Sequence, residues 1–169
     1  MKKSLWLEEA DLPEFPSLKG KIKTDVLIIG GGMCGILCAH FLEEAGVDYV
    51  LVEGKRIGQG ITKNTTAKIT SLHKLIYHSL TEKAGWETAY LYMEANERAV
   101  EKFKELAEAI PCDFEEKSAF TYSLTDRRKI EEEVEAVNGL GFSASFEERI
   151  PLPLEMEGAV KFEKQAQFH

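Results

Sequence analysis

Gly30, Gly32 and Gly35 stand at the spacing G-x-G-x-x-G, and an acid, Glu53, closes the next apolar run after them. Glycines in this pattern serve a phosphate. The first permits a tight turn, the second lets a pyrophosphate approach the backbone, and the third lets a helix pack close to a strand. The positive end of that helix, with its unpaired N–H groups, then faces the phosphates. A carboxylate at Glu53 can accept hydrogen bonds from the ribose hydroxyls of an adenosine and would repel a 2′-phosphate. The chemistry is dinucleotide binding, with FAD or NAD favoured over NADP. A glycine pattern alone also describes a plain tight turn, so the flanking elements have to decide.

Those elements agree with the phosphate reading. The run Asp25-Val26-Leu27-Ile28-Ile29 is short, β-branched and almost wholly apolar, as in a parallel strand buried on both faces. Met33 to Ala45 is predicted as a helix ended by Gly46, with Ala39 and then the larger Leu42 on its sheet-facing side. Tyr49 to Val52 follows as a second buried strand. The strand–helix–strand unit from 25 to 53 predicts an α/β, Rossmann-like dinucleotide-binding fold with a parallel sheet.

The rest of the chain is less sharply patterned. Residues 1–24 are predicted as an irregular arm, with Pro13 and Pro16 set among Trp6, Leu12, Phe15 and Leu18, and held down by those apolar side chains. Residues 54–70 form a Gly-, Thr- and Lys-rich loop. From 72 to 110 the pattern is helical: Trp86, Tyr90, Met93, Val100, Phe103 and Leu106 recur at helical spacing, interrupted by Glu97, until Pro111 stops the run. A strand over 114–124, a charged helix over 126–138 capped by Thr125, and a strand over 142–146 complete the reading. The run Glu131-Glu132-Glu133 is predicted as the solvated face of that helix. The last residues carry no evident closing strand.

Composition sets outer bounds. The 169 residues are 44% hydrophobic and 30% charged, the balance of a globular protein. A formal net charge of -8 argues against a nucleic-acid partner, whose phosphates require clustered Lys and Arg. No apolar run is long enough to span a bilayer, and Glu8, Glu9 and Asp11 interrupt any signal-peptide core after Met1, which predicts a cytoplasmic protein. Cys34, Cys38 and Cys112 fit a reduced compartment without a disulfide framework. Cys34 and Cys38, one helical turn apart, are expected to be small buried hydrophobes. His73 and His78 are too isolated to complete a metal site.

The segment after Glu53 narrows the cofactor. Gly54-Lys55-Arg56-Ile57-Gly58-Gln59-Gly60-Ile61-Thr62-Lys63-Asn64-Thr65-Thr66-Ala67-Lys68 resembles the FAD-dependent oxidoreductases of the D-amino-acid oxidase and glycine oxidase superfamily. Within it, the chain is most similar to a bacterial subgroup that often carries a C-terminal Rieske iron–sulfur domain, whose N-terminal arm resembles Ser4-Leu5-Trp6-Leu7. The resemblance implies FAD, with NAD as the alternative. It also implies that this loop runs along the FAD pyrophosphate, with Arg56 near the adenosine and Thr62, Thr65 and Thr66 near the phosphates or the flavin. The resemblance implies three parts: an arm over 1–24, an FAD-binding domain over 25–111, and the beginning of an α+β substrate domain over 112–169.

Members of that superfamily run to about twice this length or more, so the chain is expected to be a truncated form or one piece of a longer enzyme. The expected function is oxidation of a small molecule bearing an amine or hydroxyl, by hydride transfer to flavin. The alternatives are a non-catalytic nucleotide-binding fragment and an NAD-binding dehydrogenase module. A homodimer or a partner chain that completes the fold is expected on the same ground. No catalytic acid or base stands out.

Overall fold

A computed structural model describes residues 12–168, and within them the chain forms two compact units that divide between Thr66 and Ala67. The predicted boundary at 111/112 therefore falls inside the second unit. Trp6 and the Ser4–Leu7 segment lie outside the described residues.

In the first unit β1 (Val26–Ile29) pairs in parallel with β2 (Tyr49–Val52), in the register Val26 opposite Tyr49 through Ile29 opposite Val52. The helix α1 (Met33–Glu44) connects them. Its C-terminus follows from Gly46, which adopts a left-handed φ of 66°. There the Gly46 and Val47 amides donate to the Glu43 and Leu42 carbonyls, both at 3.0 Å, closing the helix in a Schellman pair. The strands are less enclosed than their apolar composition predicts. Val26 and Ile28 are half-buried, whereas Leu27 and Ile29 are 56% and 81% exposed. Strand side chains alternate between faces, and α1 packs on the face that carries Ile28.

Two further expectations for this unit are corrected. Cys34 and Cys38 are exposed rather than buried, because they lie on a side of α1 that the two strands do not cover. Phe15 and Leu18 of the arm are exposed as well, while Leu12 is half-buried with its Cδ1 near Gly58. Polar contacts also reach it: Arg56 Nη2 donates to the Leu12 carbonyl and lies 3.4 Å from the Glu14 carboxylate.

The second unit is built on a four-stranded antiparallel sheet with helices packed against it. In chain order its elements are β3 (Lys68–Ile69), α2 (Tyr77–Ala84), α3 (Trp86–Glu108), β4 (Glu115–Ser123), α4 (Arg127–Gly139), β5 (Ser145–Glu147) and β6 (Gly158–Gln167). β6 is central, pairing with β4 along one edge and with β3 and β5 along the other. The expected absence of a closing strand is thus overturned by the longest strand among the described residues. Lys161, Glu163 and Lys164 break its apolar pattern and hid it, while Ala159, Val160, Phe162 and Ala166 are buried. The expected single helix over 72–110 is two helices, parted at Gly85, whose φ of 84° and ψ of 163° no helix accommodates. Asp126, not Thr125, caps α4: its carboxylate accepts the Lys129 amide at 3.1 Å.

The core of this unit joins the helices to the sheet through Tyr77, Met93, Ile130, Val137, Leu140, Val160 and Phe162. Trp86 stacks on Tyr90, which meets Phe142. Two polar arrangements are set into this core. Glu133, expected on the solvated face, is fully buried, and its carboxylate accepts the Tyr77 and His78 amides at 2.8 and 2.9 Å. It caps α2 from another helix, because Ile76 at the N-cap offers no polar side chain. Glu97, the interruption in the apolar spacing, accepts the Ser71 hydroxyl and the Gln165 amide group, while Gln165 Oε1 accepts the Ser71 amide at 2.7 Å. Tyr77 donates its phenol to the Ser71 carbonyl at 2.6 Å. Burial, ahead of the neighbouring Tyr92, Glu97 and Glu133, drives the Tyr77 pKa upward, which keeps that phenol a donor.

Candidate dinucleotide-binding site

The first unit brings the glycine motif and Glu53 to one place. Leaving β1, the chain turns at Gly30 with φ of 108°, a conformation that favours glycine. The Gly30 amide donates to the Val52 carbonyl at 2.8 Å, so the turn is still tied to β2. Gly32 is the N-cap of α1 in extended geometry, and its carbonyl accepts the Ile36 amide at 3.0 Å.

What a side chain would meet at each glycine separates their roles. A Cβ on Gly35 would come within 1.9 Å of the Gly30 carbonyl oxygen and 3.4 Å of Ile28 Cγ2. Gly35 is therefore required by the close approach of helix to turn. Among the described residues, a Cβ on Gly32 would meet only the Thr62 hydroxyl, at 3.6 Å. Its lack of a side chain answers no packing demand and leaves the backbone open to approach. This division fits a pyrophosphate cradle, in which the middle glycine is kept clear for the ligand.

Glu53 stands at the end of β2, exposed, with its carboxylate held at both oxygens. Oε2 accepts the Gly31 amide at 2.8 Å and Oε1 accepts the Lys55 amide at 2.9 Å. The Gly31 bond, followed by that from Lys55, holds this carboxyl below its ordinary range, so Glu53 is anionic at neutral pH. Each oxygen keeps a lone pair, which suits acceptance from vicinal hydroxyls.

The loop after Glu53 folds back over the turn. The Gly58 amide donates to the Gly31 carbonyl at 2.8 Å, and Ile57 Cγ2 lies 2.7 Å from where a Gly31 Cβ would be. Farther along, Thr62 Oγ1 accepts the Met33 amide, the first of α1, at 3.2 Å. The structure thus gathers Gly30, Gly32, Gly35, Glu53 and Thr62 around one turn. Arg56 instead engages Leu12 and Glu14 of the arm. Thr65 returns its backbone amide to the Thr62 carbonyl at 3.4 Å, and the Thr65 and Thr66 side chains are exposed. Gly31, Ile57 and Gly58 were not anticipated. The only trace of them in the sequence is the unbroken triplet Gly30-Gly31-Gly32, whose middle member falls on a variable position of the motif.

Residues 25–169 match the family described as FAD dependent oxidoreductase, DAO. The chain is 37% identical over 168 residues to the Rieske-named 2Fe-2S iron-sulfur protein YhfW of Bacillus subtilis (strain 168), covering 97% of this chain and 33% of that protein. It is 30% identical over 104 residues to gamma-glutamylputrescine oxidoreductase of Escherichia coli (strain K12), covering 59% of this chain and 24% of that one. Among solved structures, glycine oxidase from Bacillus cereus ATCC 14579 aligns with a TM-score of 0.57 at 21% identity, over 86% of this chain and 40% of that chain, a likeness of fold. The chain therefore spans about a third of the length of the first of these curated relatives. The family is FAD-dependent, which selects FAD over NAD as the dinucleotide. A glycine turn left open at Gly32, a charged Glu53 beside it, and a family match that begins at the first strand agree on one assignment: the chain belongs to the DAO family of FAD-dependent oxidoreductases.

Proposed function

We propose that the chain carries the adenosine- and pyrophosphate-binding part of an enzyme that oxidises a small molecule at a carbon bearing an amine or hydroxyl. The observation that carries this reading is the pairing of an open Gly32 with a charged Glu53 one hydrogen bond from Gly31. On this reading Glu53 accepts the ribose hydroxyls, the Gly30–Gly35 turn and the N-terminus of α1 take the pyrophosphate, Thr62, Thr65 and Thr66 lie toward the phosphates or the flavin, and Arg56, held by Leu12 and Glu14, lies toward the adenosine. The flavin held there would supply the two-electron oxidation of the substrate carbon. The relative named for gamma-glutamylputrescine, a primary amine, supports an amine substrate.

The direct test is spectroscopic. The purified chain, desalted and then reconstituted with FAD, is expected to show flavin absorbance that survives gel filtration and to bind ADP but not 2′-phosphorylated ADP. A chain that takes up NAD in preference to FAD, or that retains neither, would overturn the reading. Anaerobic bleaching of the flavin by primary amines, compared with 2-hydroxy acids, then identifies the substrate class.

A further inference from the structure

We propose that the arm belongs to the dinucleotide site, with Leu12 and Glu14 as positioning residues. They engage the loop at Arg56 and Gly58 and so hold Ile57 and Gly58 on Gly31, the junction of the glycine turn with Glu53. This deepens the dinucleotide reading above and rests on it.

Gly31 is the only buried residue among those described in the first unit, and it is held by two segments. Its amide donates to Glu53 Oε2 at 2.8 Å, which ties it to the end of β2. Its carbonyl accepts the Gly58 amide at 2.8 Å, and Ile57 Cγ2 lies 2.7 Å from where a Gly31 Cβ would be. The peptide that orients Glu53 is therefore kept in place by the loop as well as by the strand.

The arm grips the same loop. Leu12 Cδ1 comes within 3.6 Å of the position of a Gly58 Cβ, so its side chain packs on that glycine, which turns with a left-handed φ of 69°. Arg56 Nη2 donates to the Leu12 carbonyl and lies 3.4 Å from the Glu14 carboxylate. Residues 56 and 58 thus meet the arm, while 57 and 58 meet Gly31. The ion pair is weak alone, because Arg56 and Glu14 are 47% and 82% exposed and solvent screens them. With the Leu12 contacts it fixes a short segment at three points. A segment already ordered costs less entropy when a ligand settles beside it. Leu27 and Ile29 of β1 are exposed, so the apolar packing of this unit supplies little of that order.

ADP titration by calorimetry and amide exchange, both on the full chain freed of nucleotide, test this. The double variant Leu12→Ala/Glu14→Gln is expected to bind ADP about three- to tenfold more weakly than wild type. Its Gly58 amide is expected to exchange faster, while the Gly30 amide, bonded to the Val52 carbonyl, exchanges as before. Arg56→Ala is expected to lose about as much affinity, and Arg56→Lys, which keeps the charge, to lose less. Arg56→Ala combined with the arm pair is expected to cost less than the sum of the two, because they act through one contact. Additive losses would overturn the positioning role and make Arg56 a ligand on its own account. Unchanged ADP affinity in the double variant would overturn it too. So would faster exchange at Gly30 together with Gly58, which would report a loosened unit. A wild-type chain that binds neither ADP nor FAD would refute the dinucleotide reading itself, whereas arm variants that bind as wild type does leave that reading standing.

Discussion

The carboxylate of Glu53 accepts the amide of Gly31 at 2.8 Å, which fastens the end of β2 to the interior of the glycine turn. The same acid braces the turn and keeps its charge beside it, where the proposed ribose contact would need it. Glu53→Gln retains the shape but loses the charge. It is expected to bind ADP roughly tenfold or more weakly, since hydrogen bonds to a charged acceptor are the stronger kind, and to discriminate less against 2′-phosphorylated ADP. Its folded pKa is depressed, so the charged form and the affinity it supports persist at neutral pH and fall only as pH drops through that lowered value. Fluorescence titration of ADP across pH for both proteins checks this. An affinity that is insensitive to the substitution would remove Glu53 from the site.

Gly35 and Gly32 are expected to respond oppositely to alanine. Gly35→Ala forces a methyl to within 1.9 Å of the Gly30 oxygen and is expected to destabilise the first unit by about 1–3 kcal/mol, displacing α1 from the turn. Among the described residues, Gly32→Ala meets nothing closer than 3.6 Å, with an ordinary φ of -81°, so its fold is expected to be retained. Its ADP affinity is the property expected to fall. Hydrogen exchange of α1 amides alongside ADP titration separates the two effects. Equal loss of both properties in both variants would sink the division of roles.

Glu133 supports the N-terminus of α2 from inside the second unit. Glu133→Ala leaves the Tyr77 and His78 amides without their acceptor, at an expected cost of about 2 kcal/mol or more. Burial, opposed by bonds from the His78, Tyr77 and Ile76 amides, lifts the Glu133 pKa above its ordinary 4.5. A group with a raised folded pKa binds its proton more tightly in the native state. Its favourable contribution is complete below that ordinary value and is lost as pH rises through the raised one. Wild type is therefore expected to lose stability relative to Glu133→Gln over that rise, in paired urea melts. A constant difference between the two proteins would show that Glu133 does not titrate there.

Ser71 and Glu97 form the centre of the other buried polar group, with Gln165 bonded to both. A double-mutant cycle of Ser71→Ala and Glu97→Gln is expected to show coupling of about 0.5–3 kcal/mol, as for residues in one hydrogen-bond network. Additive single effects would mean that the pair is independent.

Gly85 ends α2 and begins α3 in a conformation that side chains resist. Gly85→Ala is expected to cost about 1–3 kcal/mol, without the gain that alanine brings inside a helix. A stabilised variant would show that the helices can merge across this position.

The unit from Asp25 to Glu53 was legible in the sequence because its determinants are local. Two β-branched runs, three glycines at fixed spacing and an acid at a strand end each act on their immediate neighbours, and a family resemblance in the loop that follows pointed to FAD. Gly46 closing α1 belongs to the same class. Whatever depends on partners far along the chain was not legible. Glu133 carries the same carboxylate as its solvated neighbours, and only the packing of α4 against α2 buries it. β6 lacks a clean apolar alternation because both of its faces are covered along Gly158–Phe162 and it is bulged near Lys164, so its identity as a strand resides in its neighbours. Thr62 falls in a polar loop like any other, and its meeting with Met33 exists only once the chain has folded back over the turn. Local conformational preference is written residue by residue, whereas burial and hydrogen-bond partnership are settled by which segments the tertiary fold brings together.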